Sequence, residues 1–448
     1  MAALGFLIMS TPDARSILDR GPMRPLQILV VGLCFALNVF DGFDILAISF
    51  TAPAIRDEWG LSAQTLGALF RASLAGMMLG SFLLAPLADR LGRRPAIIWF
   101  LALASAGMLL TGLVTDVYQA MGTRFLTGLA IGGILPSMNA LVAEFSTVRR
   151  RAFSINVMHT GYTVGAIFGG FLSIYLIGQI GWRAVYFAGG AGSLVLLVAV
   201  VWLLPESIQF LSTGQGADRE RKLRALLRRL GVDPDAAPPG REKQSAKQPV
   251  SSARELFSPG LLPVTLMMWT AFFVVYMTIY YLFSWLPASL TAAGVELATG
   301  VSATIFFSIG GTAGMLAIGY FAPRFGLVLL LKLAFACSVP AIVLLGLLGT
   351  GFLGIAVMST AAGVFVSGAV GGLYALAARV YPTSCRSTAT GWAIGVGRFG
   401  AILGPLAAGY LYGMGWTNAA VLAAFAVLPL IALTAMVLGQ RKGGEFPK

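Results

Sequence analysis

Two carboxylates stand inside an otherwise apolar stretch: Asn38-Val-Phe-Asp41-Gly-Phe-Asp44 interrupts a run from about Ile28 to Phe50. Roughly twenty apolar residues cross the hydrocarbon core of a bilayer, and an ionised Asp at the centre of such a helix costs at least ~2.5–3.5 kcal/mol. Two such costs in one span require compensation. Spaced i, i+3, Asp41 and Asp44 share a helix face with Asn38 one turn earlier, so that face can look into a polar cavity. Gly42 between them allows another helix to approach. Two readings stand side by side: a structural pair satisfied by Arg or backbone partners within a bundle, or a site for protons or substrate.

Positioning these residues is the task of a membrane-embedded chain. Its 448 residues are 57 % hydrophobic and 11 % charged, with a mean hydropathy of +0.84, outside the range of soluble domains. That length supplies about twelve spans of roughly twenty residues. The net charge of +13 does not point to nucleic acid, because the basic residues cluster in alternate connections. Arg15, Arg20 and Arg24 precede span one, Arg90, Arg93 and Arg94 follow span two, and Arg149 to Arg151 follow span four; Arg324, Lys332, Arg379, Arg386, Arg441 and Lys442 continue the pattern. The intervening connections hold only Arg56 and Arg183. This asymmetry predicts a cell (inner) membrane protein with both termini in the cytoplasm, and leaves Arg71, Arg124 and Arg398 within spans. Cys34, Cys337 and Cys385 imply no disulfide framework. The run Leu4 to Met9 is too short for a signal peptide.

In chain order, span one is expected to close at Pro53 and the polar Arg56-Asp57-Glu58. Span two runs from about Gln64 to Leu87 and exits through Asp89-Arg90-Leu-Gly92-Arg93-Arg94. Span three, about 97 to 114, carries no charge. Span four carries Arg124, Gly128, Gly132 and Glu144. Span five, about 153 to 177, is glycine-rich and holds the single histidine, His159, which reads as a hydrogen-bonded packing residue. Span six stops at Pro205-Glu206-Ser207. Within the polar stretch 207–258, Asp218 to Leu230 reads as a basic amphipathic helix capped by Gly231 and lying on the lipid surface. Asp233 to Pro249 reads as flexible linker, and Ser252-Ala-Arg-Glu255 as a capping box.

Six more spans follow, and the halves repeat. Gly165-Ala-Ile-Phe-Gly169-Gly170 matches Gly400-Ala-Ile-Leu-Gly404-Pro405 at an offset of 235, and Asp89-Arg90-Leu-Gly92 matches Pro323-Arg324-Phe-Gly326 at 234. The expected fold is therefore all-α, with twelve transmembrane helices in two pseudo-symmetric six-helix bundles. The expected divisions are a tail 1–26, bundles 27–206 and 259–440 joined by a linker 207–258 with short amphipathic helices, and a tail 441–448. The repeat places Asp41 opposite Tyr276 in span seven, where Phe272, Phe273, Tyr276 and Tyr280 can share one broad face. Trp269 and Trp285 read as interfacial anchors.

Together the Asp89-to-Arg94 loop, Arg124…Gly128…Gly132, the glycine-rich span five and Pro205-Glu206-Ser207 resemble the major facilitator superfamily across nearly the whole chain. Asp41-Gly-Phe-Asp44, Tyr381-Pro-Thr before Arg386, and Gly397-Arg398-Phe-Gly400 resemble its aromatic acid:H⁺ symporter branch. The resemblance implies roles in uptake for Asp41, Asp44 and Asp89, with Glu144, Arg386 and Arg398 as further candidates. It implies no symmetric gate, since Pro323 stands where the branch usually has Asp.

The expectation that follows is a proton-coupled symporter importing an aromatic carboxylate of the benzoate or hydroxybenzoate type by alternating access, with no cofactor, metal or nucleic-acid partner, and working as a monomer. Asp41 and Asp44 would couple protons. Arg398 is a planar fork suited to a carboxylate, with pairing to Asp41 or Asp44 as its structural alternative and Arg124 next in line as anchor. Tyr276, Tyr280, Phe43 and Trp392 would enclose a ring. Asp89, Arg90, Gly92, Arg93, Glu144 and Arg386, near helix ends, would serve the conformational change. An aliphatic carboxylate or sugar acid symporter on the same fold is the alternative; a drug antiporter fits less well with Arg398, and a receptor would carry an output domain. No phosphate loop, metal cluster or nucleophile constellation suggests an enzyme.

Overall fold

A computed structural model describes residues 22–147, 149–213, 217–232, 256–348, 351–381 and 386–443, with the side chains of Asp89 and Arg386 outside that description. The backbone is satisfied helix by helix, as hydrocarbon demands. The helices are α1 (Pro25–Trp59), α2 (Ala63–Leu83), α3 (Ala85–Leu91), α4 (Arg93–Thr111), α5 (Val117–Glu144), α6 (Arg151–Gln179), α7 (Arg183–Leu203), α8 (Ile208–Thr213), α9 (Ala217–Arg229), α10 (Leu262–Ala292), α11 (Leu297–Phe325), α12 (Leu327–Leu348), α13 (Phe352–Val380), α14 (Arg386–Gly413) and α15 (Asn418–Gly443). Twelve of them are long and apolar enough to cross a membrane. They form two six-helix bundles, one before and one after the linker helices α8 and α9.

The repeat is written in the backbone as well as in the motifs. Gly92 (φ 105°) and Gly326 (φ 84°) both leave the helical region for one that a side chain would strain, and each turns the chain into the next span. The pairs Gly60/Gly294 and Gly181/Gly415 do the same at the same offset, so corresponding corners of the two halves share a conformation.

Two local expectations are corrected, and one boundary is sharpened. α1 passes through Pro53 without a break and closes after the polar Arg56-Asp57-Glu58, at Trp59, where the Gly60 N–H bonds the Arg56 carbonyl. Proline removes one hydrogen bond from an interior turn, and the flanking turns are held by buried packing from Phe43 to Ile55. α2 stops at Leu83, and the chain bends into the separate short helix α3. The basic amphipathic helix exists as α9, and Asp218 lies in its first turn with a carboxyl held below the usual range by hydrogen bonds from Lys222 and Arg221. Its Leu223, Leu226, Leu227 and Leu230, however, are buried within the protein, beside α8 and Arg24 at the start of α1. Four leucines on one stripe gain more from that packing than a lipid surface leaves them to gain. The capping box Ser252–Glu255 and the stretch 233–249 lie outside the described residues.

The bundles meet at the end remote from the linker. A Cβ on Gly67 would stand 2.9 Å from the Pro405 carbonyl oxygen and 3.2 Å from Gly409 Cα, so α2 and α14 touch backbone to backbone. Ser49 Oγ on α1 donates to the Phe283 carbonyl and lies 3.0 Å from that of Ser284 on α10. Toward the linker end the facing sides carry exposed groups, among them Tyr374, Trp392 and His159, and the crevice between the bundles opens there.

Within the first bundle, α1 lies directly on α6, and a Cβ on Gly42 would collide with the Tyr162 carbonyl. Overpacking commonly costs about 1–3 kcal/mol, and more where the obstacle is backbone. Gly42→Val should therefore lower the melting temperature in detergent by several degrees and reduce yield; an unchanged melt would show that the helices can part.

Candidate functional site

Asp41 and Asp44, one turn apart on α1, have different fates. Asp44 receives Arg124 of α5 through Nη1–Oδ1 at 2.7 Å and Nη2–Oδ2 at 3.1 Å, while Nη2 also donates to the Asp44 carbonyl at 2.8 Å. Arg124 is fully buried. Its Nε donates to Ser73 Oγ of α2 at 3.2 Å, and its guanidinium lies 5.8 Å from the Tyr186 ring centroid. Every donor edge of this cation is thus turned inward. Asp41 is 8 % exposed and its Oδ1 is buried without a hydrogen-bond partner.

Across the crevice, α10 presents a row of rings. Phe272 packs on Tyr276, Tyr276 stacks on Tyr280 at 6.0 Å, and Tyr280 meets Phe283 edge-on at 6.5 Å. The Tyr276 and Tyr374 hydroxyls are 2.5 Å apart, and Tyr162 of α6 packs on Phe283. Arg398 of α14 lies within electrostatic reach of Tyr276, Tyr280, Tyr374 and Asp41. Among the described residues its hydrogen bonding is a single long contact, Nη1 to the Met77 carbonyl at 3.5 Å, and it has no ion pair there. A planar fork with donors to spare, a wall of phenols and an unpartnered carboxyl thus occupy one mid-membrane space.

The structure brings Asp41, Arg398, Tyr276 and Tyr280 together and sets other candidates apart. Arg124 has its donors engaged by Asp44 and Ser73, and Asp44 is held in that same ion pair. Phe43 is 4 % exposed, its ring filling the space beside Gly169 and Gly189 inside the first bundle. Trp392 stacks face to face on Trp269 at 5.7 Å, with Phe257 edge-on beyond it, nearer the linker. Trp285 is no interfacial anchor: it is 3 % exposed and donates Nε1–H to the Pro405 carbonyl at 3.0 Å. His159, exposed toward the crevice, shares a hydrogen bond with Asn139 Oδ1 at 3.0 Å. Tyr374 and Tyr162 escaped the sequence reading, although a hydroxyl within an apolar run wants a partner and could have flagged both. Among the described residues no group of His, Cys, Asp and Glu could hold a metal.

A second cluster closes the linker end of the first bundle. Gly92 lets the chain pass against the Glu206 carboxylate, which accepts from the N–H groups of Arg93 (2.9 Å), Arg94 (3.1 Å) and Ser207 (2.8 Å). An anion thereby caps the N-terminus of α4. The Arg93 guanidinium pairs with Glu144, whose Oε2 accepts from Ser207 Oγ at 2.7 Å. Arg90 is exposed. Glu206, which reads as a span exit in the sequence, is the hub of this network.

The sequence profile of the Major Facilitator Superfamily matches residues 31–360. The chain belongs to the major facilitator superfamily. A gallate transporter of Pseudomonas putida is 35 % identical over 403 residues, covering 90 % of this chain and 89 % of its own. A 4-hydroxybenzoate transporter, PcaK, of Pseudomonas aeruginosa is 34 % identical over 438 residues, 95 % of each. A crystal structure of a bacterial homologue of the human lysosomal transporter Spinster, inward-facing and occupied, matches with a TM-score of 0.73 at 17 % identity over 94 % of this chain and 98 % of that one; that likeness is one of fold. This major facilitator protein is a multi-pass membrane transporter and not an enzyme.

The division of labour between the two aspartates is measurable. Asp44→Asn leaves a buried guanidinium without a counter-charge, a loss of about 3–5 kcal/mol, and should lower the melting temperature strongly. Asp41→Asn breaks no hydrogen bond at Oδ1 and should melt within a few degrees of the parent. Equal destabilisation in thermal melts would make both structural.

Proposed function

We propose that this major facilitator protein imports an aromatic carboxylate together with protons. The observation that carries the reading is Arg398, with donors to spare, set among Tyr276, Tyr280 and Tyr374 and within reach of the unpartnered Asp41. A carboxylate takes two parallel N–H bonds from a guanidinium, and an aromatic ring lies well against a row of phenols. The substrates in the names of the gallate and 4-hydroxybenzoate transporters have this chemistry.

In this reading both termini face the cytoplasm of a cell-membrane monomer, and the crevice at the linker end is the inward-open mouth. Asp41 takes a proton from outside before or with the substrate, which removes the anion competing for Arg398. When the mouth opens inward, Asp41 releases its proton and again attracts the Arg398 charge, which loosens the substrate. Bundles 27–206 and 259–440 rock about this centre, strapped by 207–258. Asp44 contributes as the fixed partner of Arg124 rather than as a carrier. Arg90, Gly92, Arg93 and Glu144, with Asp89 and Arg386, govern the rocking at the linker end.

Uptake of labelled 4-hydroxybenzoate into proteoliposomes with an acidic exterior tests this. Accumulation should collapse with a protonophore and in Asp41→Asn; indifference to the protonophore would end proton coupling. Arg398→Lys keeps the charge but loses the two-point geometry, a change worth about 1.5–3 kcal/mol for hydrogen bonds to charged groups, so the acid should bind roughly 10–100-fold more weakly. The corresponding benzamide should bind poorly to both proteins. Equal losses for acid and amide in calorimetry would make Arg398 structural.

A further inference from the structure

Transport leaves unused a groove of about 690 Å³ between the start of α1 and the start of α6, a volume within the usual range of ligand sites. Its walls include Ile28, Val31, Phe153 and Val157, and its rim Arg149 and Arg150. Ile28 is 58 % and Phe153 61 % exposed. Phe153 begins a stripe on α6 that continues at helical spacing through Val164, Phe168, Phe171 and Tyr175, all exposed. A spanning helix shows such a face to hydrocarbon, so the groove opens sideways to the bilayer.

The rim is positive from three sources. Arg149 and Arg150 form no ion pair among the described residues, and the Arg150 guanidinium rests 6.0 Å from the Phe153 ring centroid. α6 begins at Arg151 with Arg150 as its N-cap and no hydrogen bond from the N-cap side chain, so the first-turn N–H groups, which point out of the helix, add the positive end of the helix dipole. Cations therefore stand above an apolar slot, where headgroups meet hydrocarbon. A soluble anion would satisfy the rim and leave the slot empty; a zwitterionic lipid would fill the slot and leave the rim in excess charge.

We propose that this groove binds an anionic glycerophospholipid of the surrounding bilayer, its phosphate on Arg149 and Arg150 and an acyl chain along Ile28, Val31, Phe153 and Val157. Such a lipid braces α1, the helix of Asp41, against α6, and its binding is independent of the cargo.

Native mass spectrometry and thermal melts of the full-length protein in detergent, with phosphatidylglycerol, phosphatidylcholine of the same chains or inorganic phosphate, test it. Two basic residues near a surface give roughly a thirtyfold preference for the anionic lipid, seen as one phosphatidylglycerol retained per chain and a raised melt. The preference should fall at least tenfold in the double variant Arg149→Gln, Arg150→Gln. Since removing loop cations can also disturb insertion, Val157→Phe provides a second test: it keeps both arginines, narrows the slot, and should lose the adduct while melting like the parent without lipid. Full retention of phosphatidylglycerol by either variant, or equal retention of the two lipids, overturns the proposal. Inorganic phosphate raising the melt as much as phosphatidylglycerol makes the rim a site for soluble anions only. Because Pro22 and Met23 also line the groove, binding seen only after removal of residues 1–21 assigns the groove to the chain's own N-terminal segment, which equally overturns it.

Discussion

The ion pair of Arg124 with Asp44 is the constraint on which the first bundle depends. A guanidinium fully withdrawn from water is tolerable only with its charge matched and its hydrogens placed, and here one carboxylate, a carbonyl and a serine hydroxyl supply that. Meeting those demands fixes α1, α2 and α5 relative to one another. With them it fixes the height and direction of Asp41, one turn from Asp44. Asp41 can thus be left unsatisfied because its neighbour is over-determined. The unpartnered carboxyl of Asp41 sits on a helix that a structural charge pair prevents from turning.

The two halves share corners but not contents. Among the described residues, the first holds its mid-membrane polarity in two aspartates and the buried Arg124, the second in phenols and Arg398. A proton carrier needs a group that changes charge, whereas recognition of a ring needs surfaces that do not. In the proposed reading the two requirements fall in different bundles, so each bundle can move as a body while the site between them changes its composition.

Much of this architecture is legible in the sequence because hydrocarbon is an exacting solvent. Spans, the internal repeat and the weight of Asp41 and Arg398 follow from what a polar atom costs there. What escapes is pairing. Asp41 and Asp44 look equivalent at i, i+3, and nothing in their spacing says that Arg124 rather than Arg398 reaches one of them. Phe43 and Trp392 lie apart from the phenol row for a similar reason: an aromatic side chain in a span has several faces to choose from, and Gly169, Gly189 and Trp269 decide the choice from other helices. Tyr374 enters the site through a hydroxyl contact across helices that no local periodicity encodes. Glu206 reads as a mere exit because its partners are backbone N–H groups of a distant loop.

The remote closure has a physical character of its own. Gly67 against Pro405 and Gly409, Gln64 against Gly413, and Gly170 against Ile305 bring small residues and backbone into contact, with a serine hydroxyl on a carbonyl and no ionised side chain among them. Such a seam is held by dispersion and fit. Dissolved electrolyte has nothing there to screen, so the balance between closed and open at that end is insulated from the ionic strength of the compartment it faces. At the opposite end the balance differs in kind, because the cluster around Glu206 is built from charges that dissolved ions do screen.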